Sequence, residues 1–306
     1  MSLSVKALLE AGAHYGHQTR RWNPKMKDYI FGARNGIYII NLEKTATQWK
    51  QARKAILDTV ANGKHVIFVG TKPQAQEIIQ EEATRAGQYF VNRRWLGGML
   101  TNFETIKTRI KRMDEIQEIQ ASKTQVLSKK DRVDLDKEYQ KLEKSLSGIR
   151  EMKKTPGLMF VVDPKKEHIA IKEANNLNIP VIAITDTNCD PAGIDYVVPS
   201  NDDALKSIRI FLEDAANACL EGSKNLEKNI QSSSAKKTEA STNTDVKKET
   251  TPVEPLKASA PAKQEPTKEA AADKKEPAKK ASAKKTTAKK TTKKTTAKKT
   301  TKKDGE

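Results

Sequence analysis

Two segments of the sequence combine paired arginines with a tryptophan, a set of side chains suited to binding nucleic acid. They are Arg20-Arg21-Trp22 and Arg93-Arg94-Trp95. A guanidinium binds phosphate through a planar fork of donors, and a neighbouring ring can stack on a base or on the guanidinium itself. The alternative is that each tryptophan anchors its loop by packing and each arginine pairs with a nearby acid. Because the combination occurs twice, the nucleic-acid interpretation is favoured.

The charge of the chain also favours a polyanionic partner. Its 306 residues include 57 basic and 39 acidic residues, a net charge of +18. Residues 231–306 hold 21 lysines, no arginine and 10 acidic residues, so the C-terminal segment is the most basic part. Nucleic acid is the commonest partner for such an excess. The side chains that we expect to contact it are Arg20, Arg21, Trp22, Lys25, Lys27, Arg34, Lys72, Arg93, Arg94, Lys107 and Arg109.

A catalytic site is the first alternative. Lys72, Asp163 and Asp186 follow predicted strands, and in parallel α/β sheets ligands bind at the carboxyl ends of strands. An enzyme acting on a phosphorylated ligand could use such a group. The segment around Lys72 lacks the glycine-rich loop of a P-loop, however, and no G-x-G-x-x-G follows any strand. We therefore do not expect an enzyme, and we expect no cofactor.

Metal binding has only a weak signal. His14 and His17 form an H-x-x-H pair, whereas structural zinc sites usually have paired ligands on both sides. Cys189 and Cys219 are most simply explained as small buried residues. With only these two cysteines we expect a reducing compartment. No apolar run approaches the ~20 residues that span a bilayer, and no signal-peptide core is present, so the prediction is a cytosolic protein without a membrane partner.

The pattern of elements predicts a parallel α/β sheet. Buried strands are predicted at residues 65–70, 88–91, 158–163, 180–186 and 196–198, because apolar runs of this length suit strands covered on both faces. Helices are predicted at residues 4–10, 43–61, 73–86, 165–177 and from 201–203 to about 220. Alternating strands and helices favour a parallel sheet. Near the N-terminus, residues 14–27 are expected to form a loop, and residues 29–31 and 37–40 short strands around an Asn-Gly turn.

A helical hairpin interrupts this pattern. One apolar seam is predicted at Phe103, Ile106, Ile110 and Met113, and a second at Leu135, Tyr139, Leu142, Leu146 and Ile149. Narrow seams at these spacings predict an antiparallel coiled coil whose arms of ~20 residues reach about 30 Å. The alternative is a pair of ordinary packed helices. The expected domains are an α/β domain at 1–101 and 155–225, an inserted hairpin at 102–154, and a disordered lysine-rich tail at 231–306, which lacks apolar periodicity.

Several long motifs identify a family. Residues 11–26 (AGAHYGHQTRRWNPKM), 68–72 (FVGTK), 94–103 (RWLGGMLTNF), 163–168 (DPKKEH) and 185–191 (TDTNCDP) resemble the bacterial second small-subunit ribosomal protein (S-two). The resemblance covers roughly residues 1–225 and keeps the motifs in order. The lysine-rich tail departs from the usual family pattern, which ends soon after the last helix.

The resemblance implies a non-enzymatic component of the small (30S) ribosomal subunit with a Rossmann-like sheet and an inserted coiled-coil hairpin. It implies binding to 16S ribosomal RNA and to other 30S proteins at the head–body junction. It also implies help in recruiting the large messenger-binding protein of the subunit, with no homo-oligomer expected. A protein of this kind is ribosome-bound in the cytoplasm. A third interpretation remains open, in which the Ala-Lys-Lys-Thr-Thr repeats, like linker-histone tails, make the chain a chromosome-binding protein.

Overall fold

The computed structural model describes residues 3–121 and 128–242, with side chains up to residue 229. Its N-terminal part begins with helix α1 (Val5–Glu10), whose N-cap Ser4 accepts a hydrogen bond from the Ala7 amide. Strands β1 (Tyr15–Gln18), β2 (Ile30–Arg34) and β3 (Ile37–Ile40) form an antiparallel sheet in the order β1-β3-β2. Between β2 and β3, Asn35 and Gly36 have φ of 51° and 75°, the backbone that Asn-Gly adopts in tight hairpins.

The expectation of a loop at residues 14–27 was wrong. Strand β1 pairs with β3, and short 3-10 helices at Thr19–Arg21 and Pro24–Tyr29 occupy most of the rest. The pairing is non-local, because β2 and its hairpin turn separate β1 from its partner. The glycine, proline and polar residues of this segment therefore predict a loop, although tertiary contacts give it a regular structure.

The main sheet is parallel, which confirms the predicted Rossmann-like α/β fold. Its strands are β4 (Val66–Val69), β5 (Tyr89–Val91), β6 (Leu158–Val162), β7 (Val181–Thr185) and β8 (Tyr196–Pro199), in the order β5-β4-β6-β7-β8. Every residue of β4, β6 and β7 is buried. The helices around the sheet are α2 (Leu42–Ala61), α3 (Pro73–Arg85), α6 (His168–Asn176) and α7 (Leu205–Thr242).

Two apolar cores cover the two faces of this sheet. On one face, Trp49 of α2 and Phe211 of α7 meet at ring centroids 5.0 Å apart, and Trp49 lies edge-on to Phe160 of β6. On the other face, Ile67 and Met159 pack with residues of α6, of the loop around Trp95 and of helix α4 (Phe103–Ala121). Successive strand residues point to opposite faces, so each continuous apolar run supplies both cores.

A helix pair lies between β5 and β6. Helix α4 (Phe103–Ala121) contacts α5 (Lys129–Leu146), with Arg112 paired to Glu138 and Gln120 bonded to Asp136. The predicted α4 seam is buried and also includes Ile116. In α5 only Leu146 is buried, and Ile149 lies in a 3-10 turn after the helix. Residues 122–127, which join the helices, lie outside the described residues.

The last helix is longer than expected. It was predicted to end near residue 220 but continues to Thr242, and so includes residues 231–242 of the segment assigned to the tail. Residues 223–242 contain no proline or glycine and several strong helix formers, so nothing local ends the helix. The predicted tail from residue 243 onward lies outside the described residues. In the part of the chain that the structure describes, no helix is long and apolar enough to cross a membrane.

Candidate functional site

Both Arg-Arg-Trp segments lie at the carboxyl edge of the main sheet. The second segment directly follows β5. The first is tied to the end of β7, because the amide of Asn23 donates to the carbonyl of Thr187 at 2.8 Å and that of His17 donates to its Oγ1 at 3.0 Å. At Gly16 a Cβ would lie 2.7 Å from Thr187 Cγ2, so the close approach of this backbone to the Thr187 side chain requires glycine. The sheet thus positions two loops that are more than 70 residues apart in the sequence.

A buried carboxylate organises the second segment. Glu173 of α6, only 6% exposed, accepts hydrogen bonds from Trp95 Nε1 at 3.1 Å and from the amides of Gly98, Leu100 and Thr101 at 2.7, 3.0 and 3.2 Å. Burial alone would raise the pKa of Glu173, but these hydrogen bonds outweigh it and hold the pKa below its ordinary value. The carboxylate therefore stays charged and fixes the loop that leads into α4.

Each tryptophan packs against the protein, as the simpler interpretation had it. Trp95 is 7% exposed and bound to Glu173. Trp22 is half-buried, with its ring centroid 5.2 Å from that of Tyr38. The arginines beside them are exposed. Among the described residues, Arg93 donates only to the neutral side-chain oxygen of Gln76, at 2.8 Å. The loops therefore hold their tryptophans inward and present their guanidinium groups outward.

The residues predicted to contact nucleic acid fall into two groups, those that already have a partner in the protein and those that have none among the described residues. Lys25 is paired with Asp190 at 2.8 Å. Lys107 is paired with Glu104 at 2.9 Å and lies 4.8 Å from the Phe103 ring centroid. Arg20 donates to the neutral Gln18 at 3.1 Å. The cations that are exposed and have no hydrogen-bond or ion-pair partner among residues 3–121 and 128–229 are Arg21, Lys27, Arg34, Arg94 and Arg109.

Lys72, which was also predicted to contact nucleic acid, differs from these free cations because carboxylates surround it. Its Nζ lies 2.8 Å from Asp202 Oδ1, 2.8 Å from Asp203 Oδ1 and 3.1 Å from Asp163 Oδ2, with the side chain 13% exposed. Burial alone would lower the pKa of Lys72, but the surrounding carboxylates raise it well above its ordinary value. The ammonium is thus permanently charged and already neutralised, which leaves it unavailable to a phosphate.

The carboxylates around Lys72 form a larger anionic cluster at the ends of β6, β7 and β8. His17 Nδ1 lies 2.8 Å from Asp186 Oδ2, and this hydrogen bond raises the pKa of His17. Asp202 is fully buried, and burial, reinforced by Asp186 and Asp163, raises its pKa to about 7. The acids outnumber Lys72 and His17. A phosphorylated ligand would be repelled here, which argues against the enzyme that was considered as an alternative.

The same cluster has the spacing of a cation site. One ligand atom each from His17, Asp186, Asp202 and Asp203 lie within 4.8 Å of one another, and the group does not include His14. Of the H-x-x-H pair, only His17 belongs to this group. The sequence places Asp163 and Asp186 after neighbouring parallel strands, and the structure brings His17, Asp202 and Asp203 to the same strand ends.

A family comparison bears on these residues. A family model described as Ribosomal protein S2 matches residues 8–222. The chain belongs to the ribosomal protein S2 family. Members of this family are structural ribosomal proteins that act in translation, so the resemblance seen in the motifs is confirmed at that level.

The ribosomal protein S2 match includes both Arg-Arg-Trp segments, Glu173, the anionic cluster and all of the free cations. It stops before the lysine-rich tail. Sequence reasoning found the exposed arginines through their tryptophan neighbours. It missed Glu173, because a single glutamate in a predicted amphipathic helix resembles an ordinary surface residue until the loop that donates to it is in place.

Proposed function

We propose that this member of the ribosomal protein S2 family is a structural protein of the bacterial small (30S) subunit that binds 16S ribosomal RNA. The observation that supports this most is the set of exposed cations that have no partner among the described residues. They belong to the two loops at the carboxyl edge of the sheet, to the β2–β3 hairpin and to α4. A structural RNA-binding protein needs fixed cations facing phosphate rather than a pocket that turns over a ligand.

The free cations are suited to this role by their electrostatics. Arg21 and Arg94 can bind phosphate without first breaking an ion pair, whereas Lys25 and Lys107 would have to exchange a carboxylate for it. Arginine presents a planar fork of donors that matches phosphate oxygens. Binding of this kind releases counterions, so its affinity falls steeply as the salt concentration rises.

The proposal extends to partners and place of action. The protein is ribosome-bound in the cytoplasm, contacts other 30S proteins, and helps recruit the large messenger-binding protein of the subunit. Residues 102–154 act as an inserted helical arm on the α/β domain of residues 1–101 and 155–225. Within the described residues, the surplus of carboxylates at the strand ends supports a structural rather than a catalytic role.

A matched pair of double variants tests the RNA interface. The variant Arg21→Gln with Arg34→Gln removes two free cations near the β2–β3 hairpin. The control variant Lys50→Gln with Lys54→Gln removes two exposed charges from α2. We expect the first variant to bind a 16S transcript about tenfold more weakly and to lower the salt slope by about two, roughly one per lost contact. The α2 variant should stay close to wild type. An equal loss of RNA affinity in both variants would indicate general electrostatic attraction to RNA and would contradict the assigned interface.

A further inference from the structure

A groove lies where the helix pair leaves the body, and we call it the arm-root groove. It has a volume of about 480 Å³ and lies between α4, α5 and the loop held by Glu173.

 A volume of 480 Å³ falls in the range of about 300–1,000 Å³ typical of ligand sites, so the groove has room for a nucleotide rather than a lone phosphate. Its lining residues are Leu96, Gly97, Gly98, Asn102, Thr105, Ile106, Arg109, Lys141, Leu142, Ser145 and Leu146.

The charge of the arm-root groove is entirely positive. Arg109 of α4 and Lys141 of α5 line it from opposite helices, and both are exposed. Neither has a hydrogen-bond or ion-pair partner in the part of the chain that the structure describes. No lining residue is acidic. The groove beside α3, by contrast, is lined by Glu77 and Glu81, so a purely basic lining is not a general property of this surface.

The walls of the arm-root groove are fixed before any ligand arrives. Glu173 accepts a hydrogen bond from the Gly98 amide at 2.7 Å and so holds the loop wall in place. Thr105 Oγ1 donates to Asn102 Oδ1 at 2.8 Å, which leaves the Asn102 side-chain nitrogen as a donor without a partner among the described residues. A site built in advance loses less conformational entropy when it binds.

We propose that the arm-root groove receives the sugar–phosphate backbone of RNA, with Arg109 and Lys141 on phosphate oxygens. The inference rests on the proposed function and deepens it by naming a site and a second cation, Lys141. Two cations on facing helices with no acid between them complement a chain of phosphates. Apolar side chains such as Leu96 and Leu142 give the groove a surface against which a sugar or a base can pack.

The test compares two double variants of the full chain that lose the same charge from the same helices. Arg109→Gln with Lys141→Gln empties the groove of cations. Lys111→Gln with Lys144→Gln removes one exposed, unpaired charge from each helix outside the groove lining. Binding to a 16S transcript is measured between about 50 mM and 200 mM salt. We expect the groove variant to bind about tenfold more weakly with a salt slope lower by about two, and the control to stay within about twofold of wild type.

Each other outcome overturns the inference. Equal weakening by both variants would show that the groove has no special role. An unchanged affinity for RNA, with lost binding to polyglutamate, would assign the groove to an acidic protein segment instead. If the groove variant binds normally while Arg21→Gln with Arg34→Gln does not, the proposed function stands and only the groove is refuted. If the wild-type chain itself fails to bind the transcript, the proposed function falls.

Discussion

The carboxylate of Glu173 offers the sharpest test of how the arm is attached. Replacing Glu173 with glutamine keeps the size of the side chain but turns one oxygen into an amide nitrogen, which cannot accept hydrogen bonds. One oxygen of Glu173 accepts from Trp95 Nε1 and the Gly98 amide, and the other accepts from the Leu100 amide and from the amide and hydroxyl of Thr101. Either orientation of the glutamine therefore loses at least two hydrogen bonds and places donors against donors.

The size of the effect follows from these bonds. A hydrogen bond to a charged group contributes about 1.5–3 kcal/mol, so losing two predicts roughly 3–5 kcal/mol of destabilisation once the loop relaxes. Glu173 is 6% exposed, so solvent replaces few of the lost contacts. Its pKa is lowered from 4.5 in the folded chain. The stabilisation is therefore present above pH 4.5 and is lost as the pH falls through the folded-state pKa.

Urea unfolding followed by circular dichroism measures this difference. Glu77→Gln is the control, because it makes the same chemical change on an exposed residue of α3 and should alter the free energy of unfolding by no more than about 0.5 kcal/mol. The difference in the free energy of unfolding between wild type and Glu173→Gln should become smaller as the pH falls below 4.5. A loss no larger than that of Glu77→Gln, or a gap independent of pH, would refute the role given to this carboxylate.

Three further predictions concern the rest of the chain. Arg93→Gln with Arg94→Gln should weaken binding to a 16S transcript while leaving the circular dichroism spectrum unchanged, since both side chains are exposed; a loss of fold would assign them a structural role. Gly148→Ala should destabilise the fold by about 1–3 kcal/mol in urea unfolding, because a Cβ there would overlap a backbone carbonyl of β5, whereas Gly32→Ala has open space and should cost nothing. Deleting residues 231–306 should lower non-specific RNA affinity but still allow entry into the subunit in a reconstitution assay, and failure to enter would favour the tail-driven alternative.

The main sheet could be predicted because its signal is local. The apolar runs at β4, β6 and β7 are long enough to show burial on both faces, and the spacing of Phe103, Ile106, Ile110 and Met113 shows which face of α4 is buried. An apolar seam was also predicted for helix α5, but within this helix only Leu146 is buried. Periodicity reports which face is more apolar, and it does not report how much of that face another element covers. The domain limits stay a prediction.

The features that the sequence did not reveal depend on distant contacts. Strand β1 forms because β3 pairs with it. Asp163 and Asp186 were expected at the strand ends, but Asp202 and Asp203 join them only because β8 ends beside β7. Lys72 was among the residues expected to contact nucleic acid. Its neutralisation by Asp163, Asp202 and Asp203 depends on residues at least 90 positions away, which no local pattern connects.

Sedimentation with the small ribosomal subunit tests the central claim most directly. The full chain is added at low salt to small subunits prepared without this protein, and the mixture is separated on a sucrose gradient with the Arg21→Gln, Arg34→Gln variant alongside. We expect the wild-type chain to sediment with the subunit and to be released at high salt, and we expect the variant to be released at a lower salt concentration. A wild-type chain that stays at the top of the gradient at low salt would contradict it.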